Sequence, residues 1–183
     1  MSDKLPDRRI RKTQDALGQA FMALLQRHGW EEISVQMICD TADVARSSFY
    51  AHFDNKVELL DHCIAAVLAQ ARLQIAGADH PATEIGALSW LVDHVMGNKE
   101  FFRKMAQSVS GQIVYSRFRE AVQTMVAEEI SGTGQQRPED VVYILGGSLG
   151  LLQRWILVGN SAKPGEMKNI LQALAGRILA PVL

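Results

Sequence analysis

Residues 34–53 read SVQMICDTADVARSSFYAHF, and their spacing predicts two short helices joined by a tight turn. Val35, Ile38, Ala42, Val44 and Phe49 recur so that both helices can share one small core. Ser34 suits the N-cap of the first helix, and Thr41-Ala42-Asp43 forms the turn. The second helix covers roughly Val44 to His52. This is helix-turn-helix geometry, in which the second helix presents its N-terminal residues to the major groove of DNA. The outward side chains fit that task. Arg46 can donate a pair of hydrogen bonds to guanine, Ser47, Ser48 and Tyr50 can reach phosphates or base edges, and His52 can donate to phosphate. Lys56 adds a cation where the next helix begins, beside backbone N–H groups that also bind phosphate.

The flanks are helical as well. Arg8 to His28 reads as one helix, with Ile10, Leu17, Phe21, Leu24 and Leu25 on a stripe and Gly29 as the C-cap. Its start is basic: Lys4, Arg8, Arg9, Arg11 and Lys12 face only Asp3 and Asp7 in opposition. Arg8 and Arg11 can therefore lie along a phosphate backbone, although such a run is equally at home in solvent. Downstream, Asp54 reads as the cap of a longer helix reaching about Gly77, with Leu59, Leu60, Ile64, Val67, Leu68 and Leu73 on its apolar side.

Gly77-Ala78-Asp79-His80-Pro81 marks a linker. Pro81, Pro138 and Pro164 each sit where a first helical turn would begin, with carboxylates following, and both features suit the unpaired N–H groups there. Asn98 followed by Glu100 opens another helix, and Ser131 to Gln136 reads as a loop. The fold class is all-α, with about nine helices and no strand.

The apolar run Val141 to Val158 resembles a membrane span only at first sight. Gln153 and Arg154 interrupt it, whereas a spanning helix needs about 20 apolar residues. An arginine near the bilayer centre costs at least about 2.5 kcal/mol. The run reads instead as a helix buried nearly all round, with Gly146, Gly147 and Gly150 permitting a close helix crossing at a subunit interface.

Composition narrows the function. Apolar residues at 48% and charged residues at 21% exclude a disordered chain. With a formal net charge of −1 and a pI near 6.5, the chain lies far from the pI above about 9 expected of a generic nucleic-acid-binding domain, so DNA contact must rest on local charge. Cys39 and Cys63 do not suggest a disulfide framework, and Met1 to Gln14 lacks the apolar region of a signal peptide; a reducing cytoplasm is the default expectation. An enzyme is the alternative from another class. The cysteines and His28, His52, His62, His80 and His94 include no CxxC and no histidine pair at i,i+4, and no glycine-rich phosphate loop follows a strand. No metal site, cofactor or catalytic residue is assigned. A protein-binding adaptor is a third reading, and the outward set on the second short helix speaks against it.

Residues from about Arg8 to Leu60 resemble the N-terminal DNA-binding domain of the TetR family of bacterial transcriptional regulators. The residues that carry the resemblance are Ala16, Ala20 and Phe21, then Gly29-Trp30, Ser34-Val35, Ile38 and Ala42, then Val44, Ser48-Phe49-Tyr50, His52-Phe53, Lys56 and Leu59-Leu60. The resemblance implies a three-helix DNA-binding domain over 1–56 and a helical effector-binding and dimerisation domain over 57–183. It places Gln36, Arg46, Ser47, Ser48, Tyr50, His52 and Lys56 at positions similar to the family's DNA contacts. Two departures stand out. The usual turn glycine is Asp43, which tolerates the left-handed conformation better than most residues. The usual Ser or Thr cap is Ala45, a loss worth about 1 kcal/mol unless Asp43 caps instead.

The same resemblance implies a homodimer through the two C-terminal helices, with Gly146, Gly150, Arg154, Leu171 and Leu174 at the contact. It also implies a pocket for a small-molecule effector, for which Trp90, His94, Phe102, Met105, Tyr115, Phe118 and Met125 are the candidate lining. His94 and Tyr115 flank the apolar stripes and are the better polar contacts; aromatic and Met stripes more often form plain core. The expected function is a repressor released from a palindromic operator in double-stranded DNA by a small apolar ligand, with an activator of the same fold as the alternative.

Overall fold

The computed structural model describes residues 8–78, 84–108, 111–131, 138–159 and 162–180. Among them every regular element is helical: α1 (Arg8–Arg27), a 3₁₀ turn (Trp30–Glu32), α2 (Val35–Ala42), α3 (Arg46–Tyr50) and α4 (Lys56–Gly77) come first. Then follow α5 (Gly86–Gly97), α6 (Lys99–Gln107), α7 (Gln112–Ser131), α8 (Pro138–Arg154), a π-helical stretch (Trp155–Gly159) and α9 (Pro164–Leu179). The chain divides into two compact units at Ala66/Val67, inside α4.

In the first unit Leu17, Phe21 and Leu25 of α1 are buried together with Ile38 of α2, Phe49 of α3 and Leu59 and Leu60 of α4. Burying each such side chain contributes roughly 1.5–3 kcal/mol, which is what makes a five-residue helix like α3 stable here. Phe21 meets Trp30 edge to face at 5.9 Å. Gly18 on α1 admits the Cys63 sulfur of α4; a Cβ at Gly18 would lie 3.3 Å from it, and burial pushes the Cys63 thiol up to about 11.

Local chemistry explains most boundaries. Ser34 caps α2, its hydroxyl accepting from Met37 N at 3.2 Å. Asp43 ends α2 in the left-handed region, φ 52° and ψ 46°, as its position requires. Ala45 caps α3 with no side-chain bond, and α3 begins at Arg46 rather than Val44, whose N–H is spent on Cys39 O. Two expectations are corrected. Gly29 is not a left-handed C-cap; at φ −68° and ψ 153° it is extended and starts the 3₁₀ turn. Asn55, not Asp54, caps α4, its side-chain oxygen accepting from Val57 N at 2.8 Å and Glu58 N at 3.2 Å. Asn98 opens α6 from its N-cap position as expected, its carbonyl accepting from Phe102 N at 3.0 Å, but its side chain makes no cap; the amide donates backward to His94 O at 2.8 Å and closes α5.

In the second unit α5 is buried along most of its length, against α7 and α9. Its N-cap position holds Ile85, which has no capping atom, so the cap comes from elsewhere. Glu129 of α7 accepts from Gly86 N and Ala87 N, while Gln172 of α9 accepts from Ile85 N at 3.0 Å and donates to Ile85 O at 2.8 Å. Lys168 of α9 also donates to Asp93 of α5 at 2.6 Å. Pro138 and Pro164 start α8 and α9 as expected, whereas Pro81 and residues 132–136 lie outside the described residues. Helix α8 is not buried all round: Val141, Ile144, Leu145, Leu149 and Leu152 face inward, but Tyr143 is 71% exposed and Gly146, Gly147 and Gly150 lie open. By length and composition alone, α4 and the stretch 138–158 could each cross a membrane. Each has one face in a protein core, α4 through Leu59, Leu60, Ile64 and Leu68 and the other stretch through Val141, Ile144, Leu145 and Leu149.

Candidate nucleic-acid interface and effector region

Within the first unit, α3 projects Arg46, Ser47 and Tyr50 into solvent, because Phe49 occupies its inward face completely. The Arg46 guanidinium lies 5.6 Å from the centre of the Tyr50 ring, and its Nη2 donates to the Tyr50 hydroxyl at 3.4 Å. Ser48 and His52 are half-buried, His52 resting near the ring of Phe53 at 6.4 Å. Gln36 is exposed on α2, and its amide donates to the Asp40 carboxylate at 2.6 Å. Asp40 was missed by sequence reading, although its i,i+4 spacing from Gln36 is a signal. Arg8 and Arg11 are exposed at the start of α1; Lys4 lies outside the described residues. The structure thus pairs Arg46 with Tyr50 and leaves Gln36 on a partner that was not foreseen.

Lys56 differs most from expectation. Rather than standing free beside a helix terminus, its ammonium donates to Trp30 O at 2.7 Å and Ile33 O at 2.9 Å, and lies 4.6 Å from the centre of the Trp30 ring. Burial pulls its pKa below the ordinary lysine value, against an opposing effect of Glu31. Two of its three N–H groups are therefore committed to the 3₁₀ turn and its exit.

In the second unit the aromatic candidates form a packed cluster. Trp90 and His94 of α5 stack at 4.7 Å, His94 stacks on Phe118 of α7 at 5.6 Å, and Trp90 lies 6.5 Å from Phe118, so the three ring centres form a triangle. Phe102 of α6 meets His94 at 5.7 Å and Phe118 at 5.6 Å. His94 is inside this cluster rather than on its flank, and burial lowers its pKa, which favours the neutral imidazole. Met105 and Met125 are buried core residues. A small cavity of about 20 Å³ lies between Phe102, Tyr115, Leu152, Gln153 and Ile156, so only Phe102 and Tyr115 of the expected lining reach it.

A larger groove, about 620 Å³, runs along α8 and α9 between Val142, Gly146, Gly147, Leu174 and Ile178. Leu174 and Arg154 are exposed, as a subunit contact needs, but Leu171 is 1% exposed and forms the groove floor within its own chain. No atom lies within 4 Å of a Cβ added at Gly146, Gly147 or Gly150.

A helix-turn-helix that exposes an arginine-led second helix, followed by a separate helical unit, defines a DNA-binding transcription regulator. The chain matches the pattern described as bacterial regulatory proteins, tetR family, over residues 19–63, and that of a transcriptional regulator C-terminal region over residues 86–177. It belongs to the TetR family. Over 48 residues it is 42% identical to the HTH-type dhaKLM operon transcriptional activator DhaS of Lactococcus lactis, a match spanning 26% of each chain. The TetR transcriptional regulator of Streptococcus agalactiae shares its fold with a TM-score of 0.67 at 22% identity, covering 92% of this chain and 96% of the other. Thermus thermophilus FadR, a TetR-family repressor solved with lauroyl-CoA, aligns with a TM-score of 0.54 at 15% identity, over 91% and 92% of the two chains. At such identities the structural likeness is one of fold.

Proposed function

We propose that this regulator is a cytoplasmic homodimer that represses transcription from a near-palindromic operator and releases it when a small, mostly apolar molecule binds the C-terminal domain. Residues 1–56 contact DNA through Arg46, Ser47, Ser48, Tyr50 and His52, with Gln36, Arg8 and Arg11 on the phosphates. Residues 57–183 hold the effector and the partner subunit. The observation that carries the reading is α3 itself, buried through Phe49 and presenting Arg46 braced on Tyr50. The exposed apolar face of α8 and α9, with Val142, Tyr143, Ile170 and Leu174, supports pairing with a second copy. Selection of binding sites from a random duplex pool tests the reading. Two-fold-symmetric sites with half-sites about 34 Å apart are expected; selected sites without symmetry would overturn it.

Activation is the second reading, favoured by the match to DhaS over a quarter of the chain. A reporter behind the selected operator separates the two. Loss of the regulator raises expression under repression and lowers it under activation.

A further inference from the structure

We propose that Asp40 is a positioning residue for Gln36, holding its amide so that the Gln36 carbonyl oxygen faces the operator and selects an amino base, adenine or cytosine, at one position in each half-site. This rests on the reading of Gln36 as a DNA contact and gives that contact a sequence preference. The two side chains lie one helical turn apart on α2, both exposed, and Gln36 Nε2 donates to Asp40 Oδ1 at 2.6 Å. A carboxylate only accepts, so the nitrogen end of the amide is fixed against it. Gln36 keeps its carbonyl oxygen and one N–H, neither with a partner among the described residues. The N–H can still meet a phosphate. The oxygen cannot, because a phosphate has no proton to give at neutral pH, and the donors that the major groove offers are adenine N6 and cytosine N4. Guanine and thymine present only acceptors at the same edge.

The charges around the turn argue against a residue kept for affinity. Residues 34–53 hold Arg46 as their one Lys or Arg, against Asp40 and Asp43. A carboxylate beside DNA repels phosphates whatever the sequence, and an exposed i,i+4 pair adds little to a helix. A group that costs affinity and stabilises little suits discrimination between sequences. The location fits as well. Helix α2 packs on α3. Burial raises the pKa of the Cys39 thiol, Asp40 adds to that and Arg46 opposes it, so the guanidinium of α3 lies close to the turn of α2 that carries Asp40.

The test is fluorescence anisotropy of the full chain with the duplex that the parent selects from a random pool, each base pair of a half-site substituted in turn. The parent should prefer an amino base over a keto base by about tenfold at one position. Asp40→Ala frees the amide to turn and offer a donor instead. The preference there should fall to about twofold or less, while other positions keep theirs and urea unfolding is nearly unmoved. Asp40→Asn retains an acceptor for the Gln36 N–H without the charge and should hold most of the preference. Gln36→Ala should abolish it, and adding Asp40→Ala to that variant should change the base profile no further. Three results overturn this role of Asp40: Asp40→Ala with the parental profile, Asp40→Asn as relaxed as Asp40→Ala, or a further change in the double variant. The second would make the effect one of charge, and the third would make Asp40 itself the reader. If Gln36→Ala weakens all duplexes evenly, Gln36 stays on the phosphates and only the Asp40 role falls. If Gln36→Ala binds every duplex as the parent does, Gln36 leaves the DNA contact and both fall together.

Discussion

Arg46 and Tyr50 stand one helical turn apart on α3, with the guanidinium 3.4 Å from the phenol oxygen and above the ring face. The pairing restrains a long side chain before DNA arrives, so less rotamer entropy is lost on binding. Arg46→Ala is expected to weaken operator binding by about 1–3 kcal/mol and to relax the preference at one base pair per half-site. Tyr50→Phe, which keeps the ring and removes the acceptor, should cost less. Anisotropy titrations against matched and single-substituted duplexes check both.

Lys56 ties the start of α4 to the 3₁₀ turn through two carbonyls. Lys56→Met should lower unfolding stability by about 1–3 kcal/mol, the range for hydrogen bonds to a charged group. Urea unfolding measures this. A phosphate contact by the remaining N–H would also reduce the salt slope of DNA binding by about 1. Unchanged stability with a reduced slope would return Lys56 to a purely phosphate-binding role.

Gly150 faces open space within its own chain, so a larger side chain there leaves the monomer intact. Gly150→Leu should therefore disturb only a partner helix, overpacking the contact by about 1–3 kcal/mol. Sedimentation is expected to show a folded monomer or a weakened dimer. A dimer of parental affinity would move the interface elsewhere.

The pKa of His94 is depressed in the fold by burial. The unfolded chain then binds a proton more readily, so this contribution is complete above the ordinary imidazole pKa and is lost as pH falls through the lower folded value. Thermal melts from about pH 7 to pH 5 should show the parent losing stability faster than His94→Gln. Parallel profiles would mean that the imidazole titrates as it does in water.

What was legible in the sequence was local. The Ser34 cap, the left-handed Asp43 and the inward Phe49 each depend on neighbours a few residues away, and the structure has all three. Lys56 was read as free because its partners are 26 and 23 residues distant. The open side of α8 was read as buried because its hydropathy is the same whether its own core or another subunit covers it. His94 was placed on a flank because helical periodicity fixes the direction of a side chain on α5 but not the rings that α6 and α7 bring to it.

The borrowed cap of α5 bears on the order of assembly. Its first turn is completed by Glu129 and Gln172, 42 to 87 residues further along the chain. A nascent chain that ends before α9 has the helix-turn-helix residues in full but leaves the Ile85 N–H without Gln172 at the entrance to α5, while the Ile85 carbonyl keeps its bond from Leu88 N at 3.0 Å. The first turn of α5 is therefore fully capped only when both α7 and α9 are in place. Removing α9 would then strip more than its own contacts, since α5 would lose Gln172 from its first turn, keeping only Glu129 of α7 there, and Asp93 would lose Lys168.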